Sequence, residues 1–248
     1  MTKRRKKNGG ELLDLALPAA ALLAAFFAFK PKASAQPGTP QGPGQSSGPA
    51  TAGPTTAGPA TAGSTTAGLE RLVAIVKREN DSHIREVGGN TDRGPRIEVF
   101  QRFVNDYNHL HWCMAFVQFC VAEALGLSKK PGWGGGSCSG VYRNVKKAVD
   151  AGYLDPKYVI LADDPDRRTK VKPGYVWIMV GHTGIVTDTK GSSPDRYTTI
   201  EGNTWRADKG HGVLEMDRPW GHPKSGKNVA WFDPIAMQEA WLRMKANA

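Results

Sequence analysis

Residues 36–68 set the outer limit on what this chain can fold into. From Thr51 a short unit recurs as TAGPT, TAGPA, TAGST, TAG, and the whole stretch carries no charge and no large apolar side chain. Gly, Pro, Ser, Thr and Ala dominate it. Such a segment cannot bury enough surface to offset the entropy of ordering it, so it predicts a disordered spacer. Its repeat is also far too short for a solenoid. Any hydrophobic core must come from residues 69–248, enough for one good domain.

The residues before the spacer read as a membrane-directed segment. A block of cations at positions 3–7 precedes an uncharged, alanine-rich run from Leu15 to Phe29, and Ala33-Ser34-Ala35 is a small-residue cleavage pattern. A helix over that run reaches about 22 Å, short of the roughly 30 Å hydrocarbon core. Residues 1–35 therefore predict a secretory signal or an uncleaved, weakly apolar anchor that associates with the membrane through residues 12–29. A buried amphipathic helix fits so continuous an apolar run poorly. More cations precede the run than follow it, so in both membrane readings the remainder faces outward. The expected location is periplasmic, extracellular, or tethered to the inner membrane facing out.

Net charge is +10. Seven cations against two acids in residues 1–68 supply half of it, and the later residues supply the rest. No arginine-rich helix or basic–aromatic ladder accompanies the charge. It points to anionic wall polymers or another anionic surface, and away from nucleic acid.

Within 69–248 the pattern changes from helical to extended. A 3.6-residue apolar stripe predicts helices over 70–80, from Pro95 through Val104, and from Trp112-Cys113 to Gly126. Ser139 is the expected cap of a fourth helix, Val141 to Ala151. Then come short runs separated by turn residues: Tyr175–Val180, Thr183–Thr187, Arg196–Ile200 and, more weakly, Val213–Met216 and Asn228–Phe232. They suggest an antiparallel meander. Residues 235–245 read as a final helix. Helices first and strands later define an α+β domain.

The chemistry centres on the third helix. Cys113 stands in its first turn, where free backbone N–H groups and the positive end of the helix dipole favour a thiolate. The plainer alternative is a small buried core residue. The three cysteines, Cys113, Cys120 and Cys138, form neither a disulfide framework nor a zinc spacing. Cys113 and Cys120 are about two helical turns, or roughly 10 Å, apart and cannot pair. Either could reach Cys138.

A nucleophilic cysteine needs a base and a group to orient it. Of His83, His109, His111, His182, His211 and His222, His182 stands out, between two strand-like runs in Val180-Gly181-His182-Thr183-Gly184. The glycines leave room for close approach of another group. Glu201 and Asn203 lie two apart on the next run, so an unbroken strand would present both on one face, beside His182. Either could hold one imidazole nitrogen. A half-buried structural histidine and a polar strand end entering a turn are the competing readings.

The ordered set resembles the CHAP family, the cysteine- and histidine-dependent amidohydrolases and peptidases. The resemblance covers roughly Asn90 to Phe232. It rests on Trp112-Cys113-Met114-Ala115-Phe116-Val117, Gly181-His182-Thr183-Gly184-Ile185-Val186 and Ile200-Glu201-Gly202-Asn203-Thr204, with Gly94-Pro95-Arg96-Ile97-Glu98 resembling the lead-in helix of phage-type members. It implies a papain-like fold and cleavage of an amide bond in peptidoglycan, either N-acetylmuramoyl-L-alanine or a bond in the stem or cross-bridge. By position, Cys113 is implied as nucleophile, His182 as base and later acid, Glu201 as its orienting group with Asn203 assisting, and the backbone N–H groups of Cys113 and Met114 as oxyanion donors. Two departures stand out. Met114 replaces a commonly small residue and is expected to narrow the cleft, and Tyr175 replaces a usual aspartate. Some members bind calcium, but no acidic ligand cluster is present in this sequence, and no cofactor is expected. The alternative function is a non-catalytic envelope-binding or virion structural module. A third class is an acyltransferase on the same fold.

Overall fold

The computed structural model describes residues 65–105, 111–220 and 230–248. The signal or anchor segment, most of the spacer, and the pairs His109–Leu110 and Asn228–Val229 lie outside the described residues. Among the described residues no helix is long and apolar enough to cross a membrane.

Helix α1 (Thr65–Asp81) begins four residues earlier than the composition suggests. Gly68 is the reason: it sits against Ile235, and a Cβ there would lie 3.2 Å from that side chain. The small spacer-like residues thus serve as a packing surface. Helix α2 (Pro95–Phe103) starts at a proline whose missing N–H costs nothing in a first turn. Helix α3 (Cys113–Ala124) buries ten of its twelve residues, and Gly126 turns the chain out with a φ of +66°.

Helix α4 (Cys138–Asp150) starts three residues before the expected Val141. Ser137, not Ser139, is the cap, its Oγ accepting the Gly140 N–H at 3.1 Å. Cys138 therefore falls in the first turn of α4 instead of the preceding loop. A strand that the sequence reading omits, β1 (Val159–Leu161), follows a 3-10 turn, and a four-residue helix α5 (Arg167–Lys170) comes next.

The remaining strands are β2 (Val176–Met179), β3 (His182–Asp188), β4 (Arg196–Arg206), β5 (Gly210–Pro219) and β6 (Ala230–Phe232), and α6 (Pro234–Ala246) closes the chain. Asp233 caps α6 through the Ile235 and Ala236 N–H groups. The six strands form one sheet in the order β1-β6-β2-β3-β4-β5, every pair antiparallel. Strands β2 to β5 are the expected meander. β6 returns across it to pair with β2 and β1, a connection that local patterning cannot anticipate. The domain is α+β.

Alternation along the strands divides the core. Val176, Ile178, Ile185 and Ile200 join a large cluster with Phe100, Trp112, Phe116 and Val117 on the helix side. Tyr175, Trp177, Val186, Tyr197, Trp220 and Trp231 build a second, aromatic cluster on the opposite face. Tyr175 is buried there, which pushes its hydroxyl pKa up to about 12. Both faces of the sheet are covered, and α3 lies directly against β3 and β4. That contact brings the start of α3 to the start of β3.

Candidate active site

Trp112 is the N-cap residue of α3 and supplies no side-chain cap. The helical ladder begins with the Phe116 N–H bonding to the Trp112 carbonyl at 2.9 Å. The earlier N–H groups of the first turn are thus left for other acceptors. The Met114 N–H serves the Cys113 sulfur itself. The Met114 side chain does not narrow a cleft; it is 2% exposed and packs in the helix-side core.

His182 begins β3, opposite Met179 and after the positive-φ turn residue Gly181. Its ring stands edge-on to Trp177 at 5.8 Å. Nε2 meets Glu201 Oε2 at 2.8 Å. Cys113 lies close enough for its sulfur and the imidazole to shift each other's pKa. Sulfur, imidazole and carboxylate are therefore neighbours.

Glu201 is completely buried. Gly184 makes this possible, because a Cβ at that position would lie 2.5 Å from Glu201 Cγ. Burial would raise the Glu201 pKa. Arg218 and His182 outweigh it and bring the carboxyl down to about 2. Arg218 grips both carboxylate oxygens, Nε donating to Oε1 at 2.7 Å and Nη2 to Oε2. The Thr199 hydroxyl adds a bond to Oε1 at 2.5 Å, and the guanidinium lies over the Trp177 ring at 5.0 Å. A bidentate grip of this kind fixes a carboxylate in plane as well as in charge state.

The same arrangement sets the other two groups. Burial disfavours a charged imidazole, but the bonds to Cys113 and Glu201 prevail and raise the His182 pKa to about 9. Cys113 goes the other way, well below its ordinary value. The Cys138 thiol beside it, then His182 and the Met114 N–H, favour the thiolate against burial. The two sulfurs are 3.9 Å apart. Cys138 holds its proton more tightly because it neighbours that thiolate and is itself buried. At neutral pH the geometry favours a thiolate–imidazolium pair.

Asn203 lines the same cavity as His182 but bonds to His111 and not to that imidazole. A register shift between Glu201 and Thr204 breaks the two-residue alternation of β4, and Asn203 adopts a φ of +52°. Its Nδ2 lies 3.2 Å from His111 Nδ1. The bulge exists because Gly202 packs flat on α3: a Cβ there would fall 2.7 Å from Phe116 Cβ and Trp112 Cζ3.

A cavity of about 400 Å³ opens beside the chain of groups. His182, Arg218, His111, Asn203, Trp205 and His211 are among its lining residues. Cys113 is 3% exposed and is not among the lining residues. A larger hollow of about 620 Å³, around Tyr158, Lys170 and Tyr175, is lined by neither cysteine nor histidine. Among the described residues no group of three or more His, Cys, Asp or Glu side chains is placed to hold a metal ion.

Arg218 and Thr199 are the residues that sequence reasoning missed, and Cys138, left open there as a partner of Cys113 or Cys120, stands beside Cys113. Thr199 carried a usable signal, since it lies two before Glu201 and shares its face. Arg218 carried none, because its role depends on the pairing of β4 with β5. No family model, curated protein or solved structure matches this chain.

Proposed function

We propose that the protein is a cysteine-dependent amide hydrolase with a papain-like arrangement, acting on peptidoglycan as CHAP enzymes do. One observation supports this above the others. A buried thiol with a depressed pKa and a buried carboxylate both neighbour one imidazole, and that imidazole lines an open cavity. A purely structural histidine has no need of a thiolate on one side and an arginine-clamped carboxylate on the other.

The reaction follows from the roles. The Cys113 thiolate attacks the amide carbonyl carbon and forms a tetrahedral oxyanion. First-turn N–H groups of α3 are the nearest donors to it. His182 gives its proton to the leaving amine, the C–N bond breaks, and an acyl-thioester remains. Water then attacks the thioester, His182 accepts its proton, the C–S bond breaks to regenerate the thiolate, and the carboxylic acid product leaves and ionises. Glu201, held by Arg218, keeps the imidazole in the orientation both transfers need.

The domain acts outside the inner membrane, either released by cleavage after Ala35 or held through residues 12–29, with the spacer as tether. As flexible coil, that spacer spans on the order of 30 Å root-mean-square. Mass spectrometry of exported protein should find Gln36 first under the signal reading and an intact Met1 in the membrane fraction under the anchor reading.

The near-complete burial of the thiol favours a second reading, a fold retained for envelope binding without turnover. Clearing of purified peptidoglycan separates the two. The wild-type protein should clear the suspension and release new amine and carboxylate ends, while Cys113→Ala should do neither. Equal clearing by both proteins removes Cys113 from the chemistry. Products in which the freed acyl group carries a new amine would indicate an acyltransferase.

A further inference from the structure

The function above uses one cysteine, yet the fold brings a second to its side. Cys113 and Cys138 come from the first turns of two different helices, and their sulfurs face each other at 3.9 Å. Both are reduced, and they are 3% and 6% exposed. Closing to a disulfide requires an approach of about 1.9 Å, since an S–S bond is about 2.05 Å long. The segment that leads into Cys138 can accommodate such a shift. Gly135 and Gly136 precede it, and a Cβ at either would meet nothing. By contrast Cys120 is fully buried further along α3, its thiol pKa raised by that burial.

We propose that Cys113 and Cys138 form an oxidation site, a dithiol that peroxides close into a disulfide and that thiol reductants reopen. In the first step the Cys113 thiolate attacks a peroxide oxygen. The O–O bond breaks, hydroxide leaves and takes up a proton, and Cys113 carries a sulfenic acid. In the second step Cys138 loses its proton and its sulfur attacks the Cys113 sulfur. The S–S bond forms, the S–O bond breaks, and water leaves. The net change is two thiols and one hydrogen peroxide to one disulfide and two waters. As regulation of the hydrolase, this part rests on the reading above: the disulfide consumes the nucleophile, so the closed form is inactive. Cys138 also protects, because it captures the sulfenic acid before a second peroxide converts it to the irreversible sulfinic acid.

The test is direct. The full chain is reduced, freed of reductant, and treated with one equivalent of hydrogen peroxide. Its intact mass should fall by two hydrogens, titratable thiols should drop from three to one, and peptide mapping should link Cys113 to Cys138 with Cys120 free. Dithiothreitol should reverse each change, and wall-clearing activity should vanish and return in step with the disulfide. With several equivalents of peroxide, Cys138→Ser should instead gain two oxygens at Cys113, as sulfinic acid, and stay inactive after dithiothreitol; Cys138→Ala is the second form of that control. Three thiols that survive peroxide, a link that involves Cys120, or wild-type oxygen uptake at Cys113 as fast as in the Cys138 variants would each overturn the proposal. The mass and thiol measurements need no turnover. A reduced protein that forms the disulfide but never clears peptidoglycan would refute the hydrolase reading and leave the oxidation site standing.

Discussion

Two buried glutamates in this domain are held by arginine, and only one of them belongs to a site. Glu79 on α1 accepts from Arg78 and twice from Arg96, and Arg78 reaches on to Glu123, tying α1, α2 and α3 together. Glu201 on β4 accepts twice from Arg218 and then meets His182. Burial raises both carboxyl pKa values and their cationic partners lower them by more. What differs is the second partner. For Glu79 it is another arginine, which never gives up its proton at physiological pH. For Glu201 it is an imidazole, which does. A buried carboxylate with permanent cations is a fastener. Replacing one cation with a titratable group beside a thiol gives the same motif, on the proposed reading, a proton to exchange.

Substitutions at the two glutamates test this contrast most strongly. Glu201→Gln should lower kcat on peptidoglycan by about ten-thousandfold, as loss of the orienting carboxylate does in other triads. Glu79→Gln should leave kcat per folded molecule unchanged. A similar loss of kcat at both positions would erase the distinction. Next in size is Gly184→Ala. The new methyl group would press on Glu201 Cγ and displace the carboxylate, and a misplacement of about 1 Å can cost about a hundredfold in rate. Circular dichroism and melting curves on the same preparation would separate misplacement from unfolding.

The pH response sharpens the comparison further. His182 binds its proton more tightly folded than unfolded, so its contribution to stability is complete below 6.5 and is lost as pH rises through about 9. Glu201 runs the opposite way: its contribution is complete above 4.5 and is lost as pH falls through about 2. Activity should therefore be bell-shaped, with a basic limb near 9 where the imidazolium of the pair is discharged. Arg218→Gln removes the clamp that outweighs burial and should move the Glu201 pKa upward. Its signature is an acid limb displaced to higher pH, while the basic limb stays where the thiol holds it. An unshifted acid limb would reduce Arg218 to a packing residue. The smallest effect belongs to the fastener. Glu79→Gln should cost about 1–2 kcal/mol in denaturant unfolding, the low end for charged hydrogen bonds because both arginines are substantially exposed.

Much of this was legible in residue order. The helix that starts at Cys113, the strand expected from Thr183 and found to begin one residue earlier at His182, and the meander of β2 to β5 each follow from a local rule: an apolar stripe, turn glycines, alternation. Legibility failed where a distant partner rewrites a local preference. Asn203 should have shared a face with Glu201, but Gly202 lies flat on Phe116 and Trp112 and the strand bulges. Ser139 looked like a cap, yet Ser137 accepts the helix N–H and pulls Cys138 into the first turn. β1 was too short and too weakly patterned to stand out until β6 paired with it.

By itself, then, the order of residues determined most of the element types and singled out the thiol and imidazole of the candidate site, with Glu201 and Asn203 offered side by side. Periodicity and turn chemistry act over a few residues, and those choices need nothing more. Tertiary structure alone decided that Arg218 clamps Glu201, that Asn203 turns to His111, and that Cys138 stands against Cys113. Each of these is a contact between separate elements. It exists only once the sheet has closed and the helices have packed on it, because hydrogen bonds and sulfur contacts are fixed by ångström-scale distance and not by spacing along the chain.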